Sequence, residues 1–434
     1  MNIRRYIYPY AAALLTGMVA VSCASESAEA PDNGLPAPVG ISITAAPQGV
    51  STRAFLPGEL TEDPASSSEL INNWIVFFTQ GGVVISSEEG GSNIGVWNDR
   101  VQTELPRGRY TVLAFANMNN EKLKEYFEEG QRLPEDWQNL MNDEKNEDNR
   151  PLIPMSGYRE INVTQTVNET FSIEVVRMLA KVQFAFKNES QTPVSIEKIE
   201  FQPVYDGDIY LFPEEGNGDN RFVEGEYPNP QNYGMRTIAP ALSLPNLNDT
   251  ARSTFYIKES AAKGNHPTDH FHIGISLKRD GTTDNATYAL ASDELTTILR
   301  NDYVLFPVVI SDYIPRLEVY DYPPIGGYPV QVESNGNEFY ATFSSSGAFD
   351  IEAKLVNSAG EVVVVNQQPN AAGDYVTCTI PDEIKNNLTL TYDPIEGRWH
   401  GDIDIKTVQM PIILTFEFHI GTLTYTRTLH LLSK

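Results

Sequence analysis

The stretch from Asn168 to Asn188, NETFSIEVVRMLAKVQFAFKN, decides the fold class. Its first half places Phe171, Ile173 and Val175 on alternate positions around Ser172 and Glu174, the two-residue period of a half-buried strand. Its second half, LAKVQFAFKN, is again short, apolar and aromatic, and closes on an asparagine. Working outward, NNWIVFFTQGG (72–82), GRYTVLAFAN (108–117) and REINVTQTV (159–167) have the same character. The run Val112 to Ala116 is apolar on both faces, as an inner strand of a sandwich requires. One interruption is predicted between Asn119 and Asn149. There Leu123, Tyr126 and Phe127, then Trp137, Leu140 and Met141, fall at helical spacing, and Pro134 suits a first turn. The spacing predicts an inserted helical pair, with Glu121 to Glu129 and Asp143 to Asp148 on its solvated face.

Downstream, a second β block runs from about Leu179 to Ile314, with VSIEKIEFQPV, STFYIKES, FHIGISLKR and YVLFPVVISDYI as its clearest strands. Residues 319–329, VYDYPPIGGYP, have the composition of a semi-rigid connector and predict a boundary. The third block carries closely spaced short strands that predict an immunoglobulin-like sandwich. Its last two strands predict a hairpin: Leu414, Phe416, Phe418 and Ile420 alternate up to Gly421, and Leu423, Tyr425, Leu429 and Leu431 alternate after it. The fold expected is all-β, tandem β-sandwich domains with a small helical insertion in the first.

The chain opens MNIRRYIYPYAAALLTGMVAVSC, with Arg4 and Arg5 ahead of an apolar run from Tyr10 to Val21 that is too short for a permanent membrane span. This is an export signal. It ends in Ala20-Val21-Ser22-Cys23, which resembles a bacterial lipobox; the other reading is an ordinary cleaved signal with an incidental cysteine. ASESAEAPDNGLPAP then reads as a leash with little to bury. In PVGISITAAP, Val39, Ile41, Ile43 and Ala45 alternate with small or polar residues and predict a strand with one apolar face. VSTRAF follows, where Arg53 is either a solvated charge or a cleavage point for a trypsin-like protease.

The net charge is −27, from 31 basic and 58 acidic residues, and a surface so acidic repels nucleic acid and anionic headgroups. The two cysteines are Cys23 and Cys378, so a chain acylated at Cys23 has no internal disulfide and stability rests on the apolar core. Asn265-His266-Pro267-Thr268-Asp269-His270-Phe271-His272 is the best metal candidate. His270 and His272 would share a strand face, but no fixed motif is matched and an exposed loop entering a strand is favoured. Asp206-Gly207-Asp208 and Gly216 to Asn220 lack calcium-loop spacing and read as turns. The sequence holds no nucleophile elbow, phosphate loop or zinc-protease motif. The expectation is therefore no catalytic residue, no metal and no cofactor, although a glycosidase carboxylate pair is neither located nor excluded among so many acids. Trp74, Trp97, Trp137 and Trp399 read equally as sugar platforms or as core.

The order of these features resembles the fimbrillin family, the lipoprotein pilins of type V pili in gut and oral Bacteroidia. The resemblance rests on the lipobox, leash, strand and arginine in succession; on LPRGRYTVLAFANM, similar to a Gly-x-Tyr strand ending in Ala-x-Ala-Asn; and on VVRMLAKVQFAFKN, similar to an Arg-x-x-Ala-Lys-Val strand. FYIKES resembles a Phe-Tyr-x-x-Glu segment and LRNDYVLFPVVI a strand led by Arg-Asn. It covers roughly residues 1–315 and implies a signal at 1–23, a propeptide at 24–53 and two transthyretin-like sandwiches at 54–178 and 179–318; the immunoglobulin-like domain expected from strand spacing at 319–434 lies beyond it.

It further implies lipidation at Cys23, export to the outer membrane, cleavage between Arg53 and Ala54, and loss of the strand bearing Val39, Ile41, Ile43 and Ala45. The vacated groove then accepts a strand from another subunit. The implied partners are other pilin subunits through strand exchange, the outer membrane through a lipid anchor before cleavage, and a host or bacterial surface glycan or protein. The simplest member would end soon after 315 with a donor segment. Here the third block occupies the end, which points to a tip or accessory subunit. A membrane-retained glycan-binding or pilus-anchoring lipoprotein and a β-sandwich hydrolase are the alternatives.

Overall fold

A computed structural model describes residues 36–47, 49–52, 66–92, 94–142, 152–164, 169–212, 232–262, 264, 270–279, 281–288, 295–322, 328–384, 388–406 and 411–434. Cys23, Arg53, Ala54, His266, Asp269 and residues 216–220 lie outside the described residues.

The chain is all-β. Its first strands are β1 (Ala37–Ala45), β2 (Gly49–Thr52), β3 (Trp74–Gln80), β4 (Val83–Gly90), β5 (Asn98–Leu105), β6 (Gly108–Ala116), β7 (Met155–Val163) and β8 (Glu169–Arg177). Seven of them form one sheet in the order β4-β3-β6-β7-β8-β1-β5, while β2 leaves it for a second sheet. Alternation in sequence becomes two distinct cores. Val76 and Phe78 of β3 and Val112 and Ala114 of β6 face the inward residues of β1 and β8. Ile75, Phe77, Leu113 and Phe115 point the other way, into a second cluster with Leu123 and Phe127. The apolar run 112–116 is thus an inner strand covered on both faces.

The expected helical pair is half present. The helix α1 (Asn120–Tyr126) is capped by Asn119, whose side chain accepts from the Lys122 N–H, and Phe127 stacks on Phe115 at 5.5 Å. Trp137–Asn139 is a single 3-10 turn, and Met141–Asn142 pairs with Ile209–Tyr210 as a short ladder. Helical spacing over so short a run is met here by tertiary contacts: Trp137 packs edge-on against Tyr158 and Phe212.

The next strands are β9 (Ala180–Glu189), β10 (Val194–Tyr205), β11 (Tyr233–Ile238), β12 (Thr250–Ile257), β13 (His272–Arg279), β14 (Thr282–Tyr288) and β15 (Asp302–Ser311). One small sheet runs β12-β9-β15-β2, so the segment after β1 crosses into this block and pairs parallel with β15, Gly49 opposite Asp302. The chain ends in β16 (Ile314–Asp321), β17 (Val332–Asn335), β18 (Glu338–Phe343), β19 (Gly347–Val356), β20 (Tyr375–Thr379), β21 (Leu388–Asp393), β22 (Arg398–Ile403), β23 (Ile412–Ile420) and β24 (Leu423–Ser433). A ten-stranded sheet follows the path β11-β10-β13-β14-β24-β18-β17, with the short strand Leu242–Leu244 beside β10, β23 beside β24 and β20 beside β23. Strands from residues 194–288 and 332–433 therefore share one sheet. One apolar cluster correspondingly runs from Phe184 and Phe306 to Trp399, Phe416 and Leu431.

Candidate functional site

The residues singled out as a removable strand form β1, and all four point inward: Val39 and Ile43 are 0% exposed, Ile41 1% and Ala45 2%. The residues between them, Pro38, Gly40, Ser42 and Thr44, are small, so the apolar contribution of β1 comes from one face. Burying Val39, Ile41 and Ile43 contributes roughly 1.5–3 kcal/mol each. The strand is second from the edge, antiparallel to β5 from Ala37 opposite Leu105 to Thr44 opposite Asn98, and parallel to β8 from Val39 opposite Glu169 to Ala45 opposite Val175. Taking it out would leave a slot between β8 and β5 with backbone groups unpaired on both sides.

Where β1 crosses towards β2, the backbone is held by a buried polar latch. The Arg177 guanidinium, 1% exposed, donates from Nη1 to the Ala46 carbonyl at 2.8 Å and from Nε to the Glu69 carbonyl at 2.9 Å. Its Nη1 also donates to Asn301 Oδ1 at 2.8 Å, and Asn301 Nδ2 donates to the Pro47 carbonyl at 2.7 Å. Asn301 has φ 63°, a left-handed conformation that asparagine tolerates better than most residues. The Glu69 carboxylate pairs with Lys181 at 3.0 Å and accepts from the Tyr256 hydroxyl at 2.7 Å. Burial, reinforced by the Glu69 charge, raises the Tyr256 phenol; burial lowers the Arg177 guanidinium, with Glu69 and Tyr256 opposing. Outside, the half-exposed Trp97 ring lies 5.5 Å from the Arg177 carbon.

The motifs that carried the family resemblance meet in these buried ties. Arg177 and Lys181 come from VVRMLAKV, Tyr256 and Glu259 from FYIKES, Arg300 and Asn301 from LRND. Arg300 and Glu259, both fully buried, pair at 2.8 Å. Asn117, which ends LAFAN, has φ 58° and donates to the Leu70 and Ile153 carbonyls at 2.8 and 2.9 Å. The partners lie far apart in sequence, and Glu69 in SSSEL carries no local signal at all. Its role was illegible before the fold was known.

At the other end of the chain, β24 is bonded along both edges. It is antiparallel to β23 throughout, Ile420 opposite Leu423 and Ile412 opposite Leu431, so the predicted hairpin is present. Its opposite edge pairs first with β14, Ala286 opposite Tyr425, and then in parallel with β18, Phe339 opposite Leu429. Leu423, Tyr425, Leu429 and Leu431 are all buried.

His272 opens β13, and burial, with His270 adding to it, pulls its imidazole below the usual range. Among the described residues no three His, Cys, Asp or Glu side chains are arranged to hold a metal. The Asp206–Asp208 segment is tied as a turn, with Tyr205 donating to the Asp208 carbonyl and Lys258 to the Gly207 carbonyl. Burial pushes the Cys378 thiol up to about 12, which keeps it protonated and unreactive near neutral pH. Trp74 and Trp399 are buried, and among the described residues no helix is long and apolar enough to cross a membrane.

Against known proteins, no curated protein matches the chain. Solved structures similar to it include a cell adhesion protein from Parabacteroides distasonis, 13% identical, covering 66% of this chain and 88% of that one, with a TM-score of 0.41. A cell adhesion protein from Bacteroides eggerthii is 13% identical over 92% of this chain and 98% of its own, TM-score 0.35. A fimbrilin from Porphyromonas gingivalis is 13% identical over 91% and 97%, TM-score 0.31. The family model for "Fimbrillin-A associated anchor proteins Mfa1 and Mfa2" matches residues 75–313, a span that holds Arg177, Lys181, Tyr256, Glu259, Arg300 and Asn301. Since that span is more than half of its length, the chain belongs to this fimbrillin-associated family.

Proposed function

We propose that this protein is an end subunit of a surface pilus: once β1 is cut away after Arg53 its N-terminal groove takes a strand from a neighbour, and its own β24 is not donated in turn. The observation that carries this reading is the asymmetry of the two strands. Beyond its own pairing, the latch and the short β2–β15 ladder that lies on the same side of the cut, β1 is joined to the fold through the segment that contains Arg53, whereas β24 turns directly out of β23 and is bonded on both edges. A cut after Arg53 converts β1 from a covalent part of the sheet into a bound peptide that a competing strand of the same alternation can replace. A lipid at Cys23 would hold the precursor at the outer membrane until that cut.

A second reading, favoured by the description attached to the matching family, is a base anchor. It requires Cys23 and β1 to stay in one chain with the fold, because a cut after Arg53 severs the lipid from everything beyond it. N-terminal sequencing of protein from assembled pili separates the two. Ala54 as first residue, with Arg53→Ala trapped as precursor and absent from fibres, supports the end subunit that accepts a strand. An acylated Cys23 on assembled pili, unchanged by Arg53→Ala, would replace it with the anchor.

A further inference from the structure

Where the end of β13 meets β14, β16, β18 and β24, the surface opens into a cleft of about 170 Å³ whose walls differ from the rest of this acidic molecule. Three guanidiniums line it, those of Arg279, Arg316 and Arg427, against one carboxylate, Asp284. Arg427 is neutralised: its Nη2 donates to Asp284 Oδ2 at 3.0 Å and its Nη1 to Asn337 Oδ1 at 2.9 Å. Arg279 is not. It is 5% exposed and donates only to the Ser311 carbonyl at 2.8 Å and the Tyr425 hydroxyl at 2.9 Å. Its Nε and the Asp284 Oδ1 have no hydrogen-bond partner among the described residues. Arg316 is exposed at the mouth, with no ion pair or hydrogen bond among the described residues.

A buried cation without a counter-charge is costly, and the cleft keeps it facing solvent-accessible space with a second unpaired guanidinium beside it. The planar guanidinium fork selects carboxylate or phosphate oxygens. Thr283 and Asn337 add groups suited to hydroxyls, and Phe339 supplies an apolar floor. The space equals about five or six water volumes, the size of a single small ring. An adjoining groove of about 410 Å³ shares Arg316 and Phe339 and is walled by Val319, Val330 and Val332, so a longer ligand has somewhere to continue.

We infer that this cleft binds the carboxylate-bearing ring of an anionic saccharide, a uronic or sialic acid, with Arg316 closing on the carboxylate in the field of Arg279. The assignment rests on the protein being a surface adhesion subunit, but not on which end of the fibre it occupies or whether β1 is exchanged. The test is calorimetric titration of the full chain with glucuronate and with N-acetylneuraminate, against glucose and inorganic phosphate. Saturable binding of an acidic sugar, absent for glucose, weaker for phosphate and reduced about tenfold in Arg316→Ala, is expected for one charge-assisted contact. Arg316→Glu should abolish it, and thermal unfolding of both variants should match the parent because Arg316 is exposed. Equal affinity for phosphate would reduce the cleft to a general anion site and overturn the saccharide assignment. So would binding of glucose, binding indifferent to both substitutions, or no binding of either acid.

Discussion

Strands β1 and β24 each bury an apolar face completely, yet their sequences and their ties differ. β1 presents one apolar face and small residues on the other, and apart from the latch its bonds are main-chain ladders that any strand of matching alternation reproduces. β24 carries Arg427 and Tyr425 into the sheet, where Arg427 pairs with Asp284 and Tyr425 accepts from Arg279, and it is covalently continuous with β23 through Gly421. Burial alone does not decide whether a strand is exchangeable. What decides is whether its side chains make contacts that a substitute would lack, and where the chain leaves it.

The largest effect expected on this comparison comes from deleting residues 423–434. Losing Leu423, Tyr425, Leu429 and Leu431 removes roughly 1.5–3 kcal/mol each, a sum comparable with the whole stability of a domain. It also strips β14, β18 and β23 of their shared partner. The truncated chain should show no cooperative unfolding for the part beyond residue 190 and should be digested there by a broad-specificity protease. A native-like melting curve would mean that pairing on both edges does not make β24 necessary to the fold.

Next in size is the exchange of β1 itself. After cleavage at Arg53 in purified protein, a labelled peptide of residues 37–53 should replace the resident segment over hours. The Ile41→Asp peptide should fail to enter, since it buries an unpaired carboxylate in place of a fully buried isoleucine, at several kcal/mol. Equal uptake of both peptides, followed by fluorescence polarisation, would show that the groove is not read by apolar alternation.

A smaller effect tests the latch. Arg177→Gln leaves the Ala46 and Glu69 carbonyls without their donor and should cost about 2–4 kcal/mol in chemical unfolding of the intact chain. In the cleaved protein the same substitution should hasten peptide release. If stability falls while release is unchanged, Arg177 serves the junction between the sheets and not the retention of β1.

These tests bear on what the sequence could disclose. Alternation exposed β1, β8 and the β23–β24 hairpin, because a two-residue period needs no knowledge of partners. The spacing between Asn119 and Asn149 predicts two helices because it fits either state; Trp137 instead answers to Phe212, which follows it by seventy-five positions. The latch was visible only as pattern. Arg177 and Asn301 lie in segments whose order suggested a family, but their shared task depends on Ala46 and Pro47, more than a hundred residues upstream. The pairing of β14 with β24 was likewise hidden, since it joins residues near 286 to residues near 425 and neither segment names the other.

The smallest effect separates the same two regions by pH. All six histidines follow residue 265, so the sheet that holds β1 contains none. His419 of β23 stacks on Tyr375, and its Nδ1 lies 2.9 Å from Thr424 Oγ1 of β24; burial lowers its imidazole, with Glu417 opposing. His272 of β13 is lowered by burial and by His270, with Glu200 opposing. A histidine depressed in the folded state takes up its proton first in the unfolded chain. Stability is therefore unaffected well above the ordinary value near 6.5, and falls as pH drops from there through the lower folded value. Between pH 7 and 5 the sheet holding β24 should lose a little stability, read as faster hydrogen exchange in residues 412–433. The exchange rates of residues 37–45, corrected for intrinsic pH dependence, should stay level. His419→Gln should flatten the first response by part. Loosening of both regions together would mean that the two sheets unfold as one unit and that β1 is not independently released.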